Sequence, residues 1–143
     1  MFIVNVEGAI RRGDRWLLIR RGAAEEHAAG TLALVGGKVD ADGPSSDVLE
    51  SNLRREILEE VGLNVAKRMT YAHSTSFVTD RGDAVVNVVF ACEYADGEAS
   101  AASPDEVAEI LWLTTQEILE REDVPEWTRA SVERAEAVWG ERE

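Results

Sequence analysis

The sequence predicts an α/β (α+β) fold, in which helices flank a central mixed β-sheet. Two observations predict it: apolar strand-like segments alternate with amphipathic helical segments, and short turns join some of the strands directly into hairpins. Neither a repeat nor a linker-like stretch divides the chain of 143 residues. That length suffices for a sizeable core, and we therefore expect one domain over residues 1–143.

The first predicted elements are strands. Residues 2–10 and 15–20 are apolar segments around a turn at 11–14 that contains Gly13, a pattern that predicts a hairpin. Residues 22–30 are small and polar and predict a loop. Residues 31–35 predict a short strand that ends at Gly36 and Gly37, and residues 40–47 predict a turn-rich loop.

A helix is predicted next, because one apolar stripe recurs every four residues: Leu49, Leu53, Ile57 and Val61. We expect Asp47 to cap this helix, with Glu50 as its capping-box partner. Gly62 stands where a helix ends in a left-handed residue. The remaining predicted elements are strands at 67–78, 84–94 and 110–113 and helices at 115–120 and 125–139.

The net charge of the chain argues against some classes of function. The chain has 28 acidic and 15 basic residues, a net charge of −13, which argues against a general binder of nucleic acid or membrane surfaces.

No apolar run reaches the roughly 18–20 residues of a membrane span. The start does not resemble a signal peptide, and Cys92 is the single cysteine. We therefore expect a cytoplasmic protein without an internal disulfide.

The predicted helix places carboxylates at the edge of its apolar stripe. At about 100° per residue, Glu60 falls inside the apolar arc, Glu56 just outside it, and Glu59 one step further round, beside Arg55. Nearby, partly buried carboxylates repel one another and lose hydration, so they need protonation, arginine partners or a divalent cation. Arg55 can pair with Glu59 across one turn, but one arginine cannot neutralise three glutamates. Mg²⁺ prefers such oxygens, so a metal site is one interpretation and a solvated helix face is the other.

These residues resemble the Nudix box, whose second half reads R-E-U-x-E-E-x-G-U with U apolar. Every defined position of that half is matched, by Arg55, Glu56, Ile57, Glu59, Glu60, Gly62 and Leu63. The Gly36-Gly37 pair before it also resembles the family. The first half departs from the pattern, because the interval from Gly37 to Arg55 is four residues longer than usual, and Asp47 stands where the family has a loop glutamate.

The resemblance implies Mg²⁺-dependent hydrolysis of a pyrophosphate bond in a nucleoside diphosphate derivative, with Mn²⁺ as a substitute. It implies metal ligation by Glu56, Glu59, Glu60 and the Gly36 carbonyl, with Glu56 as a candidate base and Arg55 orienting the glutamates. Candidates for a further acidic ligand are Glu106, chosen over Asp105 and Glu109, and Asp47.

Substrate contacts are less defined. The arginines near the start, which include Arg20, are either a solvated hairpin rim or a phosphate site, and Trp127 either stacks on a base or packs. The resemblance leaves the base open and allows a homodimer. Two other functions stay open: a nucleotide-sensing module of the same fold that hydrolyses weakly or not at all, and an acidic interaction domain.

Overall fold

A computed structural model describes residues 1–22, 29–41 and 43–141. The strands in these ranges are β1 (Phe2–Arg12), β2 (Arg15–Arg21), β3 (Leu32–Ala33), β4 (Val35–Lys38), β5 (Asn64–Val78), β6 (Ala84–Asp96) and β7 (Val107–Thr114). The helices are α1 (Val48–Val61), α2 (Thr115–Glu120) and α3 (Glu126–Glu141). Across the described ranges, no helix has both the length and the apolar character needed to cross a bilayer.

The strands form one mixed sheet in the order β3-β2-β1-β6-β5, with β4 paired to β1 and β7 paired to β2. Strands β1 and β6 run parallel, and the other pairs run antiparallel. Strand β4 pairs with β1 near Val6, whereas β2 pairs with β1 at Arg11 and Arg12. Strand β1 therefore pairs with β4 over one part of its length and with β2 over another. This places β4 next to β1, a central strand of the sheet.

Helices cover both faces of the sheet. Successive side chains of a strand point to opposite faces, and β1 follows this rule. Val6 and Ile10 join the core cluster that contains Leu53 of α1, whereas Ala9 joins a second cluster that contains Val132 of α3. The predicted α/β/α arrangement with a central mixed sheet is therefore confirmed.

The glycine pair differs from its prediction. Gly36 and Gly37 lie inside β4 rather than after a strand, because the chain changes partner at Leu34, leaving β2 and joining β1. A Cβ at Gly36 would lie 2.1 Å from the backbone oxygen of Val6, so a side chain there would prevent this pairing. The predicted loop at 22–30 falls largely on residues outside the described ranges, as does Asp42 of the loop at 40–47.

The capping prediction at Asp47 is wrong. Asp47 occupies the N-cap position with φ 52° and ψ 39°, and its side chain makes no capping hydrogen bond. Side-chain capping needs an extended backbone at this position, and the left-handed backbone of Asp47 does not provide it. The prediction at Gly62 is confirmed, since Gly62 has φ 72° and its N–H donates to the Leu58 carbonyl.

An ion-pair cluster at Asp123 predicts that the fold loses stability at acidic pH. The Asp123 carboxylate accepts hydrogen bonds from Arg121 and Arg20, each at 2.9 Å. Its pKa is lowered, chiefly by the bond from Arg121 and then by that from Arg20. A depressed folded-state pKa stabilises the fold above the unfolded pKa of about 3.9, and this stability is lost as the pH falls further.

We therefore expect Asp123→Asn to lower the urea midpoint of unfolding at pH 7. Below about pH 4, the difference in this midpoint between the variant and the parent chain should become smaller. Urea titrations at several pH values measure this, with Glu122→Gln as the control for removal of a neighbouring exposed carboxylate. A difference that stays constant down to pH values near 3 would contradict the ion-pair explanation.

Candidate active site

Helix α1, strands β1, β2 and β4, and the segment before β7 line an open cleft of about 670 Å³, a volume within the range of small-molecule sites. Its charged lining comprises five acidic side chains and three basic ones: Glu7, Asp40, Glu56, Glu60 and Glu106, and Arg21, Lys38 and Arg55. The formal charge of the lining is therefore negative. An anionic ligand would need additional positive charge to enter it.

Glu60 is the most buried of the α1 carboxylates, with 8% of the residue exposed. Burial raises the pKa of Glu60 to about 9, and the neighbouring carboxyls of Glu106 and Glu56 also raise it. The Gly36 backbone N–H donates to the Glu60 carboxyl and acts in the opposite direction. Glu60 Oε2 is buried and meets no hydrogen-bond partner within the described residues.

Glu56 lies beside Glu60 and against β4. Its side chain is 16% exposed, and Arg55 Nη1 lies 3.4 Å from its Oε1. A Cβ at Gly37 would lie 2.6 Å from the Glu56 carboxyl carbon, so the carboxyl occupies the space that glycine leaves. Burial raises the pKa of Glu56, the charge of Arg55 lowers it, and the charges of Glu59 and Glu106 raise it.

Arg55 is held in place by Asn52, a residue that sequence reasoning missed. Arg55 Nη2 donates to Asn52 Oδ1 at 2.9 Å, and the Asp40 backbone N–H donates to the same oxygen at 2.9 Å. Asn52 Nδ2 donates back to the Asp40 carbonyl at 3.1 Å. Asn52 thus ties the loop after β4 to the arginine of the motif. Its sequence signal was an asparagine in the predicted helix, three residues before the arginine of the motif.

Glu59 lies outside the cleft. Its side chain is 58% exposed, and its Oε2 lies 3.4 Å from Arg55 Nη1. The order expected from helical geometry is confirmed, because exposure increases from Glu60 through Glu56 to Glu59. Ligation by Glu59 stays a prediction of the resemblance.

The segment before β7 contributes Glu106 to the cleft. The Gly22 N–H donates to the Glu106 carbonyl at 2.9 Å, and a Cβ at Gly22 would lie 2.2 Å from the Asp105 backbone oxygen. Glycine at this position therefore permits the close approach of β2 and this segment. Glu109, by contrast, forms an ion pair with Arg20 at 2.9 Å.

Three other candidates lie away from the cleft lining. Asp47 lines a separate depression together with Glu50 and Arg54. Arg20 donates to Glu109, to Asp123 and to the Gly30 carbonyl, and Arg21 rather than Arg20 lines the cleft. Trp127 is 59% exposed on the first turn of α3.

Sequence reasoning also missed Glu7 on β1. Burial raises the pKa of the Glu7 carboxyl, while a hydrogen bond from Asn87 and the charge of Arg21 lower it. Glu7 lines the cleft with Asn5. The available signal was the presence of polar residues in strands that are otherwise apolar.

A divalent cation fits the chemistry of this site. Within residues 1–22, 29–41 and 43–141, no three acidic, histidine or cysteine side chains converge into a preassembled metal site. However, Glu60 Oε2 is buried beside the carboxyls of Glu56 and Glu106, and no described residue gives it a hydrogen-bond partner. Hard cations such as Mg²⁺ bind such oxygens. A bound cation would offset the mutual repulsion of these carboxylates.

Comparisons with known proteins identify the family of this chain. The NUDIX domain family matches residues 1–135. The uncharacterized Nudix hydrolase YfcD of Escherichia coli is 35% identical over 127 residues, which cover 88% of this chain and 64% of YfcD. The chain thus spans just under two thirds of that relative.

Two solved structures share the fold over most of their length. A MutT NUDIX hydrolase from Burkholderia pseudomallei superimposes with a TM-score of 0.79 and 28% identity, covering 94% of this chain and 98% of its own. A MutT protein from Methanosarcina mazei gives a TM-score of 0.78 and 27% identity, with 96% and 94% covered. By its sequence and its fold, this chain belongs to the NUDIX domain family.

Proposed function

We propose that this chain hydrolyses a pyrophosphate bond in a nucleoside diphosphate derivative, either a nucleoside di- or triphosphate or a nucleotide sugar. The reaction depends on Mg²⁺, for which Mn²⁺ can substitute. The observation that carries the proposal is the buried Oε2 of Glu60, which finds no hydrogen-bond partner among the residues that the structure describes and lies in a cleft shared with the carboxyls of Glu56 and Glu106. Retaining this costly arrangement is consistent with a site that binds a cation.

Glu60, Glu56 and Glu106 are the side chains that would hold the cation, with the Gly36 carbonyl and Glu59 as further candidates. When bound, the cation supplies positive charge and polarises the phosphate oxygens. That charge also explains how an acidic cleft accepts an anionic substrate.

The remaining steps belong to the side chains of this chain. Glu56 accepts the proton of the attacking water, and its raised pKa makes it a better proton acceptor near neutral pH. Arg55, held by Asn52, keeps the Glu56 carboxylate oriented. Lys38 and Arg21 line the cleft, and we assign them to contacts with phosphate oxygens, for which cationic donors are suited.

A panel of nucleotides tests the proposal. The chain is incubated with nucleoside di- and triphosphates and nucleotide sugars in Mg²⁺, in Mn²⁺ and in excess EDTA, and the products are separated by chromatography. We expect turnover of at least one class in Mg²⁺ and loss of that turnover in EDTA. Turnover that is unchanged in EDTA would contradict the role of the cation.

A nucleotide-sensing module is the second candidate. It is favoured by the absence of a preassembled set of three ligands in the described residues, together with the exposed position of Glu59. This alternative predicts that nucleotide raises the melting temperature while no substrate of the panel is hydrolysed. Hydrolysis that saturates with substrate would reject it.

The substrate in this proposal is a small free nucleotide and not a nucleic acid, because the net charge of −13 disfavours a polyanion. A cytoplasmic location and a homodimer stay predictions. Size-exclusion chromatography with light scattering measures the oligomeric state.

A further inference from the structure

Three polar side chains form a row on the sheet face opposite α1. Asn5 and Glu7 flank Val6 on β1, and Val6 packs into the core cluster beneath α1. Because strand side chains alternate between faces, Asn5 and Glu7 point away from α1. Asn87 on β6 is paired with Asn5 in the register, so it shares their face.

Two hydrogen bonds connect the row. Asn5 Nδ2 donates to Asn87 Oδ1 at 2.7 Å, and Asn87 Nδ2 donates to Glu7 Oε1 at 2.7 Å. In the part of the chain that the structure describes, no hydrogen bond uses Glu7 Oε2 or Asn5 Oδ1. A carboxylate and an amide oxygen are both acceptors, so the row offers two acceptors to a ligand.

The row opens into the cleft that contains Glu60. Asn5 and Glu7 both line that cleft, and Gly36 is paired with Glu7 across β1 and β4. A Cβ at Gly36 would lie 2.9 Å from Glu7 Cγ, so any other residue would crowd Glu7 at this point. A ligand whose phosphates lie near Glu60 can therefore extend toward Glu7.

Packing alone does not explain the row. Further along the same face, β1 and β6 carry apolar residues of the second core cluster: Ala9, Val89 and Ala91. Placing an amide pair and a carboxyl in partly buried positions costs desolvation free energy that apolar side chains would avoid. Asn87 is only 8% exposed, so this cost applies directly to it.

We propose that Asn5, Glu7 and Asn87 form a recognition subsite for the moiety attached to the pyrophosphate, selecting a group with two adjacent hydrogen-bond donors. The inference rests on the proposed function, because it takes the phosphates to lie near Glu60. Two parts of a nucleotide carry such donors. They are the N–H and amino edge of a guanine-type base and the vicinal hydroxyls of ribose.

Nucleoside monophosphates test the subsite without turnover, since they contain no pyrophosphate bond. Calorimetric titration in Mg²⁺ compares GMP with IMP, which lacks the base amino group, and with 2′-deoxy-GMP, which lacks one ribose hydroxyl. We expect GMP to bind at least about tenfold more tightly than one of the two analogues, because an unpaired buried acceptor is costly. That analogue identifies the recognised part.

Glu7→Gln is the decisive variant, since its amide oxygen can still accept from Asn87 while its NH₂ group replaces an acceptor. We expect it to lose the preference for GMP, and Asn5→Ala to weaken that preference. Circular dichroism and the melting temperature verify that both variants fold. Glu133→Gln, at an exposed position on α3, is the matched control and should behave as the parent chain.

Equal affinity of the parent chain for the three ligands, or a preference that survives in Glu7→Gln, would overturn the subsite. A preference that depends on Glu7 in a chain that hydrolyses no substrate of the panel would overturn the proposed function and leave the subsite standing. Hydrolysis of a panel substrate by a chain that shows no such preference would overturn the subsite and leave the proposed function standing. With a hydrolysed substrate, Glu7→Gln should raise KM more than it lowers kcat.

Discussion

Glu60→Gln is expected to reduce pyrophosphate hydrolysis by about a hundredfold or more, because it removes the most buried carboxylate of the cleft. A metal ion supplies several kcal/mol of transition-state stabilisation, and about 1.4 kcal/mol corresponds to a tenfold change in rate. Loss of one anionic ligand therefore has a large effect. Initial rates at saturating Mg²⁺, compared between variant and parent, measure it.

When no metal is present, the melting temperature of Glu60→Gln is expected to equal or exceed that of the parent chain. Burial and the carboxyls of Glu106 and Glu56 raise the pKa of Glu60 to about 9, so the ionised side chain is unfavourable in its surroundings. Glutamine has nearly the same shape and carries no charge. Adding Mg²⁺ should raise the melting temperature of the parent chain more than that of the variant, as expected for linkage with a ligand.

Glu59→Gln is the matched control, since Glu59 lies on the same helix but outside the cleft. The structure predicts a clearly smaller loss of activity for it than for Glu60→Gln. An equal loss would mean that Glu59 ligates the cation, as the resemblance to the Nudix box implies. Full activity of Glu60→Gln would contradict the assignment of the cation to this cleft.

Gly37→Ala should lower kcat by roughly tenfold to a hundredfold with little change in stability, because displacing a reacting group by about 1 Å can have effects of this size. The new Cβ would lie 2.6 Å from the Glu56 carboxyl carbon and 2.8 Å from each carboxyl oxygen. The carboxyl is the end of a flexible side chain, so it moves while the strand stays in place. Gly37 has no positive φ, and alanine fits its backbone.

Gly140→Ala controls for the added methyl group. Gly140 lies near the end of α3, and a Cβ there meets no atom within 4 Å. This variant should keep the parent kcat and unfold at an equal or slightly higher temperature, as alanine favours helix. A Gly37→Ala protein with the parent kcat would show that the Glu56 carboxyl position is not critical.

The predictions from sequence that were confirmed depend on short-range periodicity. The stripe through Leu53 and Ile57 predicted the buried side of α1, and helical geometry alone ordered the exposure of Glu60, Glu56 and Glu59. These results follow because residues three and four apart on a helix share a face.

The predictions that failed, and the residues that were missed, depend on contacts between distant segments. Gly36 is inside a strand because Glu7 lies opposite it, and Asn52 matters because Asp40 folds back onto it. Glu7 and Asn87 are 80 residues apart in sequence. Such contacts are set by strand pairing and by loops that fold back onto helices, and neither leaves a periodic signal in a single chain.

The sequence by itself determined the helix with its acidic edge, the left-handed glycine at its end and the resemblance to the Nudix box, since all three are encoded within short segments. Only the tertiary structure decided that Glu60, Glu56 and Glu106 share one cleft while Asp47 and Glu59 lie outside it. The physical reason is that α1, β4 and the segment before β7 meet through packing and glycine-permitted close approaches. These depend on the whole sheet and on no single motif.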